Sequence, residues 1–199
     1  MDAVEFNPSV TPRIKAHTRT LSSAARMQIS SSEISLYSRD QKTLNASATR
    51  SEMDASGIVW ESSDTSVAAV NGSGVVTAKN PGTATITCYG KNARGIRAAC
   101  KVTVKLRQTT GVKLVSKAFN RIRISWKAVP GCNRYAIYRW DERGNSKKMA
   151  TVAADVVTWQ DTAVKTGSTY TYRIRASYVR SGKKTVYGAA SSPLSAKAE

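Results

Sequence analysis

At 199 residues the chain has room for one large domain or for two modules of roughly 80 to 100 residues, each big enough to bury its own core. Hydrophobic residues make up 41% and charged residues 22%, ordinary values for a globular protein, and no apolar run approaches the length of a membrane span, so membrane insertion is not expected. The 31 Lys and Arg against 13 Asp and Glu give a net charge of +18, which points to acidic partners or to a surface kept soluble by charge. The excess is uneven: residues 108–199 carry 17 basic and 5 acidic groups, a net +12.

In chain order, residues 1–28 read as an extended arm or anchor. They hold Pro8 and Pro12, the basic residues Arg13, Lys15 and Arg19, and His17, the one histidine of the sequence. The start lacks the basic stretch followed by an apolar run that a secretory signal needs. The chain therefore reads either as a segment of an exported protein or as one that reaches the outside by assembling onto a particle.

From Ile29 onward, short runs rich in Val, Ile, Thr and Tyr alternate with Gly, Asn, Asp and Ser clusters, and there is no helical apolar stripe of useful length. This predicts an all-β chain. In the first half Ile34 and Leu36 alternate with polar residues, Trp60 stands alone in GIVWESSD, NGSG at 71–74 turns Val67–Val70 into Val75–Ala78, and NPG at 80–82 turns into Ala84, Ile86 and Cys88. GKNARG then returns the chain into Cys100, Val102 and Val104. The run WESSDTSVAAVNGSGVVTAKNPGTATITCYG, closed by AACKVTV, resembles the bacterial Ig-like domain of group 2 over about residues 29–105. The resemblance implies a β-sandwich used as a building block of exported bacterial proteins, adhesins and phage structural proteins, with no shared catalytic residues to carry over.

Residues 106–111, LRQTTG, read as a linker. Beyond it, Ile122, Ile124 and Trp126 alternate with Arg121, Arg123 and Ser125, and Tyr170, Tyr172, Ile174 and Ala176 alternate with Thr171, Arg173, Arg175 and Ser177. Such period-2 alternation marks strands with one face in a core and the other in water. The segments ISWKAVPGCNRYAIYR and VKTGSTYTYRIRASY are similar to the fibronectin type III domain over residues 112–199. The resemblance implies a seven-stranded sandwich with Trp126 in its core and Tyr170 at its tyrosine corner, where Val164 replaces the expected Leu. The whole chain is thus expected to be two tandem immunoglobulin-like β-sandwiches behind an N-terminal arm.

No constellation for catalysis is legible. One histidine cannot build a nucleophile system with the neighbours offered, three cysteines without a second histidine do not match zinc spacing, and Asp54, Glu61 and Asp64 read as a solvated loop. No cofactor, metal or catalytic residue is expected. Cys88 and Cys100 fall on successive strands; if Ile86 faces Val102 they stand opposite each other, as a cross-strand disulfide or as two buried thiols.

One recognition surface can be drawn. If Tyr135 and Ile137 face the core, Arg134, Tyr138 and Trp140 share the outer face of their strand, and Arg173 and Arg175 point outward on another. The fibronectin type III order makes those two strands neighbours, with Lys183 and Lys184 arriving on the hairpin before the last strand. Such a face can hold an acidic polymer or glycan by charge, stacking and cation–π contact, or can simply be a set of cross-strand pairs. Specific nucleic-acid binding is not expected, because none of its readout motifs is present. The expected role is non-enzymatic: a structural and binding protein on the outer face of a virion, as a decoration or accessory protein beside other virion proteins, or a segment of a bacterial cell-wall protein or adhesin among other surface proteins.

Overall fold

The computed structural model describes residues 25–49 and 57–199, all as strands, turns and loops. Arg13, Lys15, His17, Arg19 and Asp54 lie outside the described residues. The first module contains β1 (Met27–Ile29), β2 (Glu33–Tyr37), β3 (Gln41–Thr43), β4 (Ala46–Ala48), β5 (Ile58–Ser62), β6 (Ala68–Val70), β7 (Val75–Ala78), β8 (Gly82–Gly90) and β9 (Ala93–Lys105). A four-stranded sheet of order β2-β9-β8-β5 packs on a three-stranded sheet of order β3-β7-β6, while β1 and β4 form a separate ribbon. Strand β1 begins inside the stretch read as an arm: Met27 pairs with Ala48 and is buried, so Met27 and Gln28 belong to the sandwich.

The alternation of β8 builds the core. Ala84, Ile86 and Cys88 point inward and are buried, while Thr83 and Thr85 on the other face are exposed and Thr87 is half-buried. Ile86 joins Leu44, Val76, Val102 and Val104 in one cluster, where burial of each large side chain contributes about 1.5 to 3 kcal/mol. The NGSG turn forms because the Asn71 Oδ1 accepts from the N–H groups of Ser73 and Val75, at 3.0 and 2.9 Å. Gly74, at φ +76°, is required there: a Cβ would lie 2.3 Å from the Leu44 carbonyl oxygen and 2.8 Å from the ring of the half-buried Trp60.

The hairpin after β8 corrects the expected register. Ile86 faces Cys100 rather than Val102, and Cys88 faces Ala98. GKNARG looks like a long turn, but the chain reverses through Lys91 and Asn92 alone, with an irregularity at Tyr89 and Gly90 that slips the pairing. Cys100 therefore lies in the main core and Cys88 in a satellite cluster with Met27, and both are free thiols. Burial pushes the Cys88, Cys100 and Cys132 thiols above their ordinary pKa. Alkylation without reductant is expected to spare Cys88 and Cys100 in the folded protein and to label all three cysteines after denaturation. Intact mass reads this directly, and a single labelled cysteine in the denatured chain would restore the disulfide.

The second module contains β10 (Lys113–Ala118), β11 (Arg121–Ser125), β12 (Arg134–Trp140), β13 (Ser146–Ala153), β14 (Thr158–Asp161), β15 (Thr169–Tyr178), β16 (Val186–Tyr187) and β17 (Leu194–Lys197). One sheet runs β10-β11-β14 and the other β13-β12-β15, with β16 and β17 pairing along β15 as two parts of one last strand. This is the seven-stranded arrangement that the fibronectin type III resemblance implies. Trp126 is buried edge-on against Tyr135 at 5.4 Å, and the Tyr170 hydroxyl accepts from the Lys165 N–H at 3.0 Å, closing the tyrosine corner over the buried Val164.

The stretch read as a linker is built into the second sandwich. Leu106 joins its core, the buried Thr109 hydroxyl accepts from the Ala176 N–H at 3.2 Å, and Gln108 donates to the Ala190 carbonyl at 2.9 Å. The two modules consequently abut. Across the junction Arg180 reaches the Asp64 carboxylate at 2.8 Å, and Arg107, one residue into the second core's territory, pairs with Asp40 at 2.6 Å and lies 4.5 Å over the Tyr37 ring. The Ser66 hydroxyl and then Arg180 hold Asp64 down at about 2. Gly131, at φ +80°, lies flat against Ser38, where a Cβ would come within 2.4 Å of the Ser38 Cβ. Gly131→Ala is therefore expected to splay the modules while leaving both folded. Small-angle scattering should show a larger radius of gyration, and an unchanged curve would mean that the junction is not held there.

Candidate recognition face

Sheet register decides which side chains share the outer surface of the second module. Residues directly opposite one another across paired strands lie on the same face. Tyr138 stands between Arg173 on β15 and Lys148 on β13, Ala136 between Arg175 and Thr151, Arg134 between Ser177 and Ala153, and Trp140 between Thr171 and Ser146. The intervening Tyr135, Ile137, Tyr172 and Ile174 are fully buried, which fixes the other set as outward. The sequence-predicted residues Arg134, Tyr138, Trp140, Arg173 and Arg175 thus come together on one sheet.

Ring and guanidinium groups pair across this face. The Arg173 Cζ lies 5.7 Å from the Trp140 ring, and Trp140 and Tyr138 stand 6.4 Å apart with planes tilted by 44°. The Arg175 Cζ lies 4.7 Å from the Tyr187 ring while its Nε donates to the Gly188 carbonyl at 2.8 Å. Exposed cation–π pairs of this kind contribute about 0.5 to 1 kcal/mol each and hold the long Arg side chains extended over the sheet.

Lys183 and Lys184 are not part of this face. The turn that carries them folds toward the first module, where they line a crevice of about 200 Å3 with Asp64, Val67, Pro81, Tyr178 and Arg180. Two members of the face were not legible in the sequence. Lys147 and Lys148 are consecutive, and the register shift opposite Ile137 and Tyr138 puts Lys148 beside Tyr138. Tyr187 reaches Arg175 only because β16 pairs with the end of β15.

Beneath one end of the sheet the alternation turns Arg139 inward. Its Nη1 donates to the buried Asp161 carboxylate at 2.9 Å and to the Ala163 carbonyl at 2.8 Å, and the Tyr172 hydroxyl donates to the same carboxylate at 2.9 Å. Burial, followed by the neighbouring Asp161 charge, pushes the Tyr172 phenol well above its usual range. Every polar group here is engaged in structure. Elsewhere Glu61 accepts from the Tyr89 hydroxyl, and among the described residues no group of three or more His, Cys, Asp and Glu converges as metal ligands do. No helix among them is long and apolar enough to cross a membrane.

Comparison with known proteins bears on the first module directly. Residues 23–102 match the bacterial Ig-like domain (group 2) family. Over 81 residues, 41% of this chain, the sequence is 33% identical to an uncharacterized protein of Clostridium acetobutylicum, of whose length the match spans 8%. Solved structures similar to the chain include a fibronectin type III domain of human collagen XX, at 17% identity over 46% of this chain and 90% of that one, with a TM-score of 0.38. A Fn3-like protein from Clostridium thermocellum is 28% identical over 44% of this chain and 86% of that one, with a TM-score of 0.36.

Proposed function

We propose that the chain, which joins a bacterial Ig-like domain of group 2 to a fibronectin type III sandwich, is a non-enzymatic structural and binding protein displayed on an outer surface. The observation that carries this reading is the outer face of β13, β12 and β15: cations and aromatic rings stand together on an open sheet, on a molecule whose buried polar groups serve packing. The described chain also runs end to end. Strand β1 packs near Cys88, Ala93 and Ile96 at the end of the β8–β9 hairpin away from the second module, whereas the Glu199 carbonyl accepts from Asn120 at the far end of the second module. Such a unit holds its second sandwich, and that face, at a distance from whatever carries the first.

A bacterial cell surface is favoured over a virion exterior, because an 81-residue stretch of the chain matches only 8% of a clostridial protein, as a building block of larger chains would. Labelling of lysines with a membrane-impermeant reagent tests the reading on intact cells and on purified particles from the same culture. Labelled protein from intact cells supports display on the cell, and labelled protein from particles alone moves the display to a virion. Labelling that appears only after lysis overturns the proposal.

A further inference from the structure

We infer that the outer face of β13, β12 and β15 docks a linear acidic polysaccharide; the inference rests on the display reading above and names the ligand of that same face. The outward positions of the face hold Arg134, Lys148, Arg173 and Arg175 and no carboxylate. The acidic residues of the module are placed elsewhere: Asp141 and Glu142 in the turn after β12, Asp155 in the turn after β13, Asp161 buried beneath the sheet and Glu199 at the end of the chain. A charged surface that served only solubility would intersperse both signs. Here four cations are left to reinforce one another over an apolar floor of Ala136, Tyr138 and Trp140, which attracts a polyanion.

Spacing selects a polymer over a compact anion. Arg173 and Arg175 are alternate residues of one strand, about 7 Å apart along it, and Lys148 and Arg173 lie two strands apart, about 10 Å across the sheet. Spread along and across the sheet in this way, the cations meet several charges of a chain that repeats them, where a single phosphate or sulfate would engage only some of them. The side chains of Arg173 and Lys148 make no hydrogen bond or ion pair with the described residues, so their donors are available. The rings select sugar over nucleic acid. Trp140 and Tyr138 are tilted by 44° and Arg173 covers Trp140, so they form no parallel platform on which successive bases stack. A sugar ring needs no such platform, because its C–H groups can meet a single aromatic face, whose π system is negative.

Binding of the full chain to polygalacturonate, a carboxylated polysaccharide, tests this against dextran and single-stranded DNA by calorimetry. Polygalacturonate is expected to bind and dextran not to bind, with affinity falling as ionic strength rises past about 0.1 M, where the screening length is about 10 Å. Arg173→Ser combined with Lys148→Ser should weaken binding at least about tenfold, and Trp140→Ala about fivefold. Lys91→Ser combined with Lys105→Ser removes the same charge from the first module and should change affinity less than about twofold. Melting curves establish that each variant is folded. Equal losses from the two double variants, tighter binding to single-stranded DNA than to polygalacturonate, or binding to dextran would each overturn the inference. Because binding is read on the purified chain, its failure leaves surface display standing, and failure of surface labelling leaves the measured affinity standing.

Discussion

Trp126→Ala is expected to cost about 3 to 5 kcal/mol and to unfold the second module while the first stays folded. Trp126 is nearly inaccessible and packs edge-to-face on Tyr135, whose hydroxyl in turn accepts from the Val129 N–H at 2.8 Å. Removing the indole opens a cavity in the cluster formed with Ile122, Ile124, Ile137 and Ile174 and frees the ring that anchors the turn before β12. The Trp126 Nε1–H makes no hydrogen bond, so Trp126→Phe loses volume alone and is expected to be milder. Denaturant unfolding followed by tryptophan fluorescence and far-UV dichroism separates the modules. A melting transition of the second module that is unchanged in the alanine variant would refute the assignment of Trp126 to its core.

Asp161→Ala is expected to destabilise the same module by a comparable amount, about 3 to 5 kcal/mol, for an electrostatic reason. The carboxylate is 1% exposed and receives hydrogen bonds from Arg139, from Tyr172 and, at Oδ1, from the Ala163 N–H at 2.9 Å. Arg139 is itself mostly buried, lying 4.7 Å over the Tyr170 ring, so loss of its partner strands a guanidinium in a low-dielectric site. Removing both charges should be less harmful than removing one. In a double-mutant cycle, Arg139→Met combined with Asp161→Leu should therefore be more stable than the sum of the single changes predicts. Additive losses would show that the ion pair carries no coupling.

Which features could be read in advance follows from the range of the interactions that set them. Tyr172 and Ile174 alternate with Arg173 and Arg175 because one face of β15 is buried and the other wet, a local pattern that the chain displays openly. Trp126 and Tyr170 were legible for the same reason, through the short motifs around them. Register was not. A turn of two residues in place of six moved Cys100 opposite Ile86, and the shift on β13 chose Lys148 over its neighbour, and neither leaves a mark in the spacing of apolar residues. The junction was hidden by distance in sequence. LRQTTG looks like a spacer because Thr109 and Gln108 are polar, yet their partners Ala189 and Ala190 lie some eighty positions away. For the same reason Lys183 and Lys184 could not be placed: the turn that carries them is drawn to Asp64 by Arg180, across the module boundary.

Oxidative footprinting of intact cells with a membrane-impermeant oxidant tests most directly whether the second module stands outside with its cationic face uncovered. Tyr138, Trp140 and Tyr187 are expected to be oxidised on intact cells and to be protected when polygalacturonate is added. Oxidation of those rings only after lysis, with other surface proteins of the same cells already modified, would contradict the account.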